Sequence, residues 1–198
     1  MSDASDRSGD ELDTAPGRTS LGPLIADFDD TVDQMLERLR GTASLDRIFT
    51  TASHIAEFSL VWHAISLTRG AVRGEPRRVV ALAIGIGLES LIVNQGIKRL
   101  FRRERPTRAG ESGLEVRRPV TSSFPSGHAS AAAFAATVLS DRDGPLLSTA
   151  WYGVGAIVAV SRAYVRIHHA SDVVGGIVVG RALGLVARPL VRCVALGR

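Results

Sequence analysis

The sequence predicts an all-α fold: a polytopic transmembrane helical bundle of about five spans, preceded by an N-terminal amphipathic helix. Three observations carry this reading. Five mostly apolar segments are spread over residues 48–194, small residues recur within them, and the polar connections between them fall on alternating sides. A bilayer core takes about 20 consecutive apolar residues per helix. The segments are Ile48–Thr68, Val79–Ile97, Gly127–Leu139, Leu146–Val160 and Val173–Val194. The second meets the length requirement. The third is short unless its flanks extend it, and the first and last contain polar groups, so a soluble helical bundle is the competing reading. Gly85, Gly87, Ala131–Ala133, Gly153, Gly155, Gly175, Gly176, Gly180 and Gly184 favour the membrane, because small side chains let lipid-embedded helices approach closely.

Residues 1–20 read as a disordered acidic tail, rich in Ser, Asp, Gly and Thr and lacking the apolar core of a signal peptide. Residues 21–198 read as a single membrane-embedded domain. Within it, Leu24, Ile25, Phe28, Val32, Met35, Leu36 and Leu39 recur at helical spacing, which predicts an amphipathic helix over Leu24–Arg40. Its other face is acidic, and Gly41 ends it. The connections Arg69–Arg78 and Ser140–Pro145 define one face of the bundle. Lys98–Pro125 and Ser161–Asp172 define the other.

The net charge is +4, but it is uneven: residues 1–50 carry −6 and the remainder +10. A basic body implies an anionic partner: nucleic acid, a membrane surface or a phosphorylated substrate. All but one of the 24 basic residues are arginine, and the exception is Lys98. An ammonium is a compact point charge where a guanidinium is a planar fork. Cys193 is the single cysteine, so no internal disulfide is possible, and no zinc-type Cys/His spacing occurs.

Three clusters lie on the second face. The first is Lys98, then six residues, then Arg105-Pro106, within a stretch whose net charge over 98–118 is +5. Basic residues there could equally contact anionic headgroups, and Arg99, Arg102, Arg103 and Arg166 are read as headgroup or surface contacts. The second is Pro125-Ser126-Gly127-His128 before an Ala-rich helix, where Ser is a good N-cap and free amides at a helix start attract anions. The third is Ser161-Arg162, five residues, His168, three residues, Asp172. If helix extends from Ile167 onward, His168 and Asp172 share a face, and the carboxylate can fix the imidazole tautomer.

Together these clusters resemble the signature of the type 2 phosphatidic acid phosphatase family, which includes lipid phosphate phosphatases and belongs to the acid phosphatase–vanadium haloperoxidase superfamily. Its pattern, K-x6-RP, PSGH and SR-x5-H-x3-D, is matched at all eleven fixed positions. The resemblance implies metal-independent hydrolysis of a phosphate monoester or pyrophosphate on a membrane lipid, without a cofactor. It implies His168 as nucleophile forming a phosphohistidine, Asp172 as its holder and His128 as proton donor and then base. Lys98, Arg105 and Arg162, with the amides near Ser126 and Gly127, would bind the phosphoryl oxygens. The implied partners are a phosphorylated lipid and the bilayer, not nucleic acid. The alternatives are a soluble acid phosphatase or haloperoxidase relative, and a non-catalytic lipid-phosphate-binding or transport protein.

His169 rivals His168, since it too can reach Asp172, and the spacing from Arg162 selects His168. Glu89 and Arg181 fall inside predicted spans, each nine residues from the active face, which predicts an ion pair between them. Arg69, Arg73, Arg77 and Arg78 make their connection cytoplasmic by the positive-inside rule. The site would then face outward from a plasma membrane of bacterial type.

Overall fold

The computed structural model describes residues 21–106 and 121–196. The acidic tail and the middle of the basic connection, residues 107–120, lie outside it. Seven α-helices follow in order: α1 (Pro23–Glu37), α2 (Ala43–Ile55), α3 (Leu60–Arg73), α4 (Pro76–Leu91), α5 (Gly127–Leu139), α6 (Pro145–Tyr164) and α7 (Ala170–Leu196). No strand occurs among the described residues. Beyond α4 the chain continues through a π-helical segment, Ile92–Gly96, and a 3-10 turn, Ile97–Leu100.

Three helical stretches are long and apolar enough to cross a bilayer: Pro76–Leu100, Pro145–Tyr164 and Ala170–Ala195. The remaining two predicted spans differ in instructive ways. Ile48–Thr68 is two helices, not one. The backbone breaks between α2 and α3, where Phe58 and Ser59 adopt left-handed conformations at φ 51° and 59°. The sequence has neither Gly nor Pro there to announce a break. Helix α5 has the bounds the sequence predicts, but its 13 residues reach only about 20 Å. It does not need to meet lipid at either end, because every residue from Ala129 to Leu139 is buried by its neighbours.

Small side chains make that central position possible. Helix α7 lies so close to α5 that a Cβ on Gly176 or Gly180 would collide with the carbonyl oxygen of Ser126 or Ser130, and one on Gly184 would press on Thr137. The Gly176–Gly180 pair therefore sets the distance at which the two helices carrying Pro125–His128 and Asp172 meet.

Helix α1 packs in an unexpected sense. Its apolar residues Leu24 (83% exposed), Phe28 and Met35 point away from the protein, while Asp29 is only 5% exposed. Part of the apolar stripe is left outward, as suits an interfacial helix, while Leu36 packs on the core and Asp29 turns inward beside it; Asp27, Asp30 and Glu37 stay exposed.

At the end away from the three motif clusters, arginines close the bundle. Arg69 and Arg73 both reach Asp143, at 2.6 and 3.0 Å. Arg192 pairs with Asp141 through two hydrogen bonds.

Glu89 and Arg181 do not pair. Glu89 accepts the Ser130 hydroxyl inside the bundle. Arg181 reaches the Tyr152 hydroxyl at 3.3 Å and lies over its ring. Equal depth was the only basis for joining them, and depth does not fix which way two side chains on different helices point.

Candidate active site

Each motif cluster ends on a different helix terminus, and the bundle brings these termini together. Lys98 sits buried in the 3-10 turn after α4. Ser126 caps α5, with Gly127 and His128 in its first turn. Arg162 lies in the last turn of α6, and Asp172 in the first turn of α7. A cavity of about 420 Å³ is lined by Lys98, Gly127, His128, Arg162 and His168, among others. All eight predicted site residues gather here: Arg105 and Asp172 touch His168, and Ser126 holds the start of α5.

His168 does not sit on a helix. It lies in the turn between α6 and α7, after Arg166 at φ 55°, and helix begins only at Ala170. Its approach to Asp172 therefore comes from the turn, not from helical stacking. His168 Nδ1 is 3.6 Å from Asp172 Oδ2, beyond normal hydrogen-bond length. Ser123 fills the gap: its hydroxyl donates to Asp172 Oδ2 at 2.5 Å and lies 3.4 Å from His168 Nδ1. On the other side of the ring, Arg105 Nη1 is 3.1 Å from Nε2. Guanidinium can only donate, so Nε2 accepts and the ring proton is on Nδ1. Burial holds the His168 imidazole well below its ordinary pKa, down to about 3, against the opposing pull of Asp172. The ring is thus neutral at pH 7, with a lone pair at Nε2.

Asp172 is held on all sides. Oδ2 accepts the His169 backbone N–H at 2.8 Å, the reach-back of a capping box, and His169 Nδ1 is 3.2 Å away. Oδ1 accepts Arg103 Nη1 at 2.6 Å. Arg103 is not a headgroup contact: it is 5% exposed and also pairs with Asp29 at 2.5 Å. Asp29 in turn accepts the Ser171 N–H and hydroxyl at 2.7 and 2.8 Å. The inward face of α1 is therefore joined to Asp172 through a single guanidinium. Arg166 matches its surface reading, pairing with Glu37 of α1, and Arg99 bonds Gln95 in the open.

On the cavity wall, Arg162 is fully buried and bonds Ser53 of α2 through Nη1. Its Nε and His128 Nε2 have no hydrogen-bond partner among the described residues. A buried polar atom left in this state is costly, and both belong to residues that line the cavity. Three cations, a neutral imidazole whose lone pair is held by one of them and a second histidine around one space suit a phosphoryl group.

A sequence profile of the PAP2 superfamily matches residues 78–193. The chain belongs to the PAP2 superfamily. Two relatives in mycobacteria agree. The decaprenylphosphoryl-5-phosphoribose phosphatase of Mycolicibacterium smegmatis is 34% identical over 131 residues, covering 63% of this chain and 67% of that protein. Its namesake in Mycobacterium tuberculosis is 31% identical over 135 residues, covering 68% and 73%. Among solved structures, the transmembrane PAP2 type phosphatidylglycerolphosphate phosphatase from Bacillus subtilis superposes with a TM-score of 0.66 at 22% identity, over 86% of this chain and 87% of that one. LpxE from Aquifex aeolicus superposes with a TM-score of 0.65 at 25% identity, over 79% and 92%. The likeness to the Bacillus structure carries the fold alone. This PAP2 protein is a phosphoric monoester hydrolase, and its three long apolar helices make it an integral membrane protein in place of the soluble alternative.

Proposed function

We propose that the protein hydrolyses a phosphate ester on a membrane lipid through a phosphohistidine at His168, with no metal ion in the reaction. The observation that carries this reading is the His168 tautomer: Nε2 presents a lone pair beside Arg105, in a cavity also lined by Lys98, Arg162 and His128. An arriving phosphate takes the Arg105 N–H from Nε2 onto a phosphoryl oxygen, and Nε2 is left free to attack phosphorus. His128 takes up a proton once the phosphate's charge offsets the cations around it; as the N–P bond forms, the bond to the leaving oxygen breaks and His128 passes that proton to the oxygen. The cationic phosphoimidazole keeps its Nδ1–H, which faces Ser123 and Asp172. In the second step His128 takes a proton from water, the oxygen attacks phosphorus, the P–N bond breaks and phosphate leaves.

The substrate reading rests on the mycobacterial relatives, whose substrate is a phosphorylated lipid-linked sugar by name, and on a site at the ends of membrane helices. Rapid acid-free quenching of purified protein with a radiolabelled lipid phosphate, in EDTA throughout, tests the mechanism. A base-stable, acid-labile label that disappears on chase with water is expected. Turnover with no such label, or turnover abolished by EDTA, overturns it.

Orientation is a separate part of the reading. By the positive-inside rule, Arg69, Arg73, Arg77 and Arg78 support a cytoplasmic far end and a site facing outward. Cys193, the single cysteine, is exposed near that far end. A membrane-impermeant maleimide is expected to label it in lysed but not intact cells, and labelling of intact cells reverses the orientation.

A further inference from the structure

The break between α2 and α3 lies beside the site. Phe58 and Ser59 hold left-handed conformations in succession, with no glycine to ease them. Backbone held in this region is strained, and such strain collects at active sites and ligand clamps. Residues 56–59 line the same cavity as Arg162 and His168.

Ending α2 at this point has a chemical consequence. Its helical bonding closes with the Ala56 N–H on Ala52 O, at 3.2 Å. The carbonyls that follow are those a helix end leaves without an intrahelical donor. In an unbroken helix over residues 48–68, Ser53 O would take the Glu57 N–H. In the broken one it takes Arg162 Nη1 at 3.2 Å, and the Ser53 hydroxyl oxygen accepts from the same Nη1. Ser53 and Arg162 are each 1% exposed. Among the described residues, both hydrogen bonds of this guanidinium go to Ser53.

The nitrogen that is anchored decides which edge is left. In a guanidinium the Nε–H and one Nη2–H run parallel, and that edge grips two oxygens of one anion. Arg162 Nε is buried and has no partner among the described residues. Two acceptors on Nη1 fix the plane of the group, which the carbonyl alone does not. Resting on the phosphatase reading above, we propose that Ser53 is a positioning residue for phosphate binding: it holds Arg162 by Nη1 and turns the Nε–Nη2 edge toward two phosphoryl oxygens. The strained elbow serves the same end, because it stops α2 at the carbonyl that Arg162 takes.

The test has two readouts on the purified full-length protein in detergent: the Kd for inorganic phosphate, and kcat/KM for dioctanoyl phosphatidic acid. Ser53→Ala is expected to weaken phosphate binding by about tenfold, since it removes one hydrogen bond to a charged group. It is expected to lower kcat/KM by a similar factor, mostly through KM. In an Arg162→Ala background the same substitution is expected to change kcat/KM by less than about twofold, because Ser53 acts through Arg162 alone. Ser53→Cys, which keeps the size but accepts weakly, carries the same comparison if the alanine variant does not fold. A wild-type Kd in the Ser53 variant overturns the proposal, and so does wild type that binds no inorganic phosphate. An equal loss of kcat/KM with and without Arg162, which a structural role gives, overturns it too. Phosphate release that survives His168→Ala removes the phosphatase reading instead, and the Kd comparison still stands.

Discussion

His168→Ala is expected to lower kcat by about 10⁴-fold or more, while His169→Ala keeps turnover within about tenfold of wild type. Both imidazoles approach the same oxygen, Asp172 Oδ2, and His169 Nδ1 is the nearer at 3.2 Å against 3.6 Å. Proximity to the carboxylate therefore does not separate them. What separates them is the rest of each ring's surroundings. His168 lines the cavity with Lys98, His128 and Arg162, and its Nε2 accepts from Arg105. His169 contacts the carboxylate from outside that space and contributes its backbone N–H to the cap of α7. Removing the His169 ring takes one of several hydrogen bonds from Asp172, whereas removing His168 takes the nitrogen proposed to attack phosphorus. The measurement is single-turnover phosphate release for each variant, with thermal unfolding in the same detergent to show that both fold. A dead His169→Ala beside an active His168→Ala would reverse the assignment.

Much of this site is legible in the sequence because its residues sit at helix ends, and helix ends are what local patterns report best. Pro125–His128 reads as a cap before an Ala-rich helix, and it is one. Arg162 and Lys98 fall where apolar runs stop, and both line the cavity. The parts that were not legible are those fixed by long-range packing. The break at Phe58 and Ser59 has no local signal, since neither residue favours positive φ. Arg103 stands among Arg99, Arg102 and Arg105, and nothing local marks which guanidinium turns inward. Its partner Asp29 lies 74 residues away, at the edge of the apolar stripe of α1 near Ile25 and Leu36. A helical wheel shows the stripe but not which part of it meets the protein. In a membrane protein the other part can lie against lipid. Ser123 was missed for a different reason: it lies just outside the four-residue motif, and a serine in a connection carries no distinctive pattern.

Arg103→Ala is expected to be the most damaging change away from the reacting atoms. Arg103 stands between Asp29 and Asp172, at 2.5 and 2.6 Å, and all three are buried. Removing one member of a buried ionic cluster leaves the others uncompensated, at about 3–5 kcal/mol. Here it leaves two carboxylates with no cation between them. The loss should appear as a large drop in melting temperature. Below that temperature kcat should fall by about 10²-fold, because Asp172 shifts and carries His168 with it through Ser123. Adding Asp29→Asn to Arg103→Ala removes one of the two stranded charges and is expected to recover part of the stability but little of the activity, since Asp172 still lacks its donor. That split tells a positioning role from a merely structural one. If Arg103→Ala instead raises KM alone and melts like wild type, Arg103 is a headgroup contact after all. The coupling also gives α1 a second task. Its exposed Leu24, Phe28 and Met35 suit it to the membrane interface, while Asp29 on its other side holds the residue that holds Asp172. One short helix thus carries both an outward apolar surface and the carboxylate that anchors Arg103 to Asp172 beside His168.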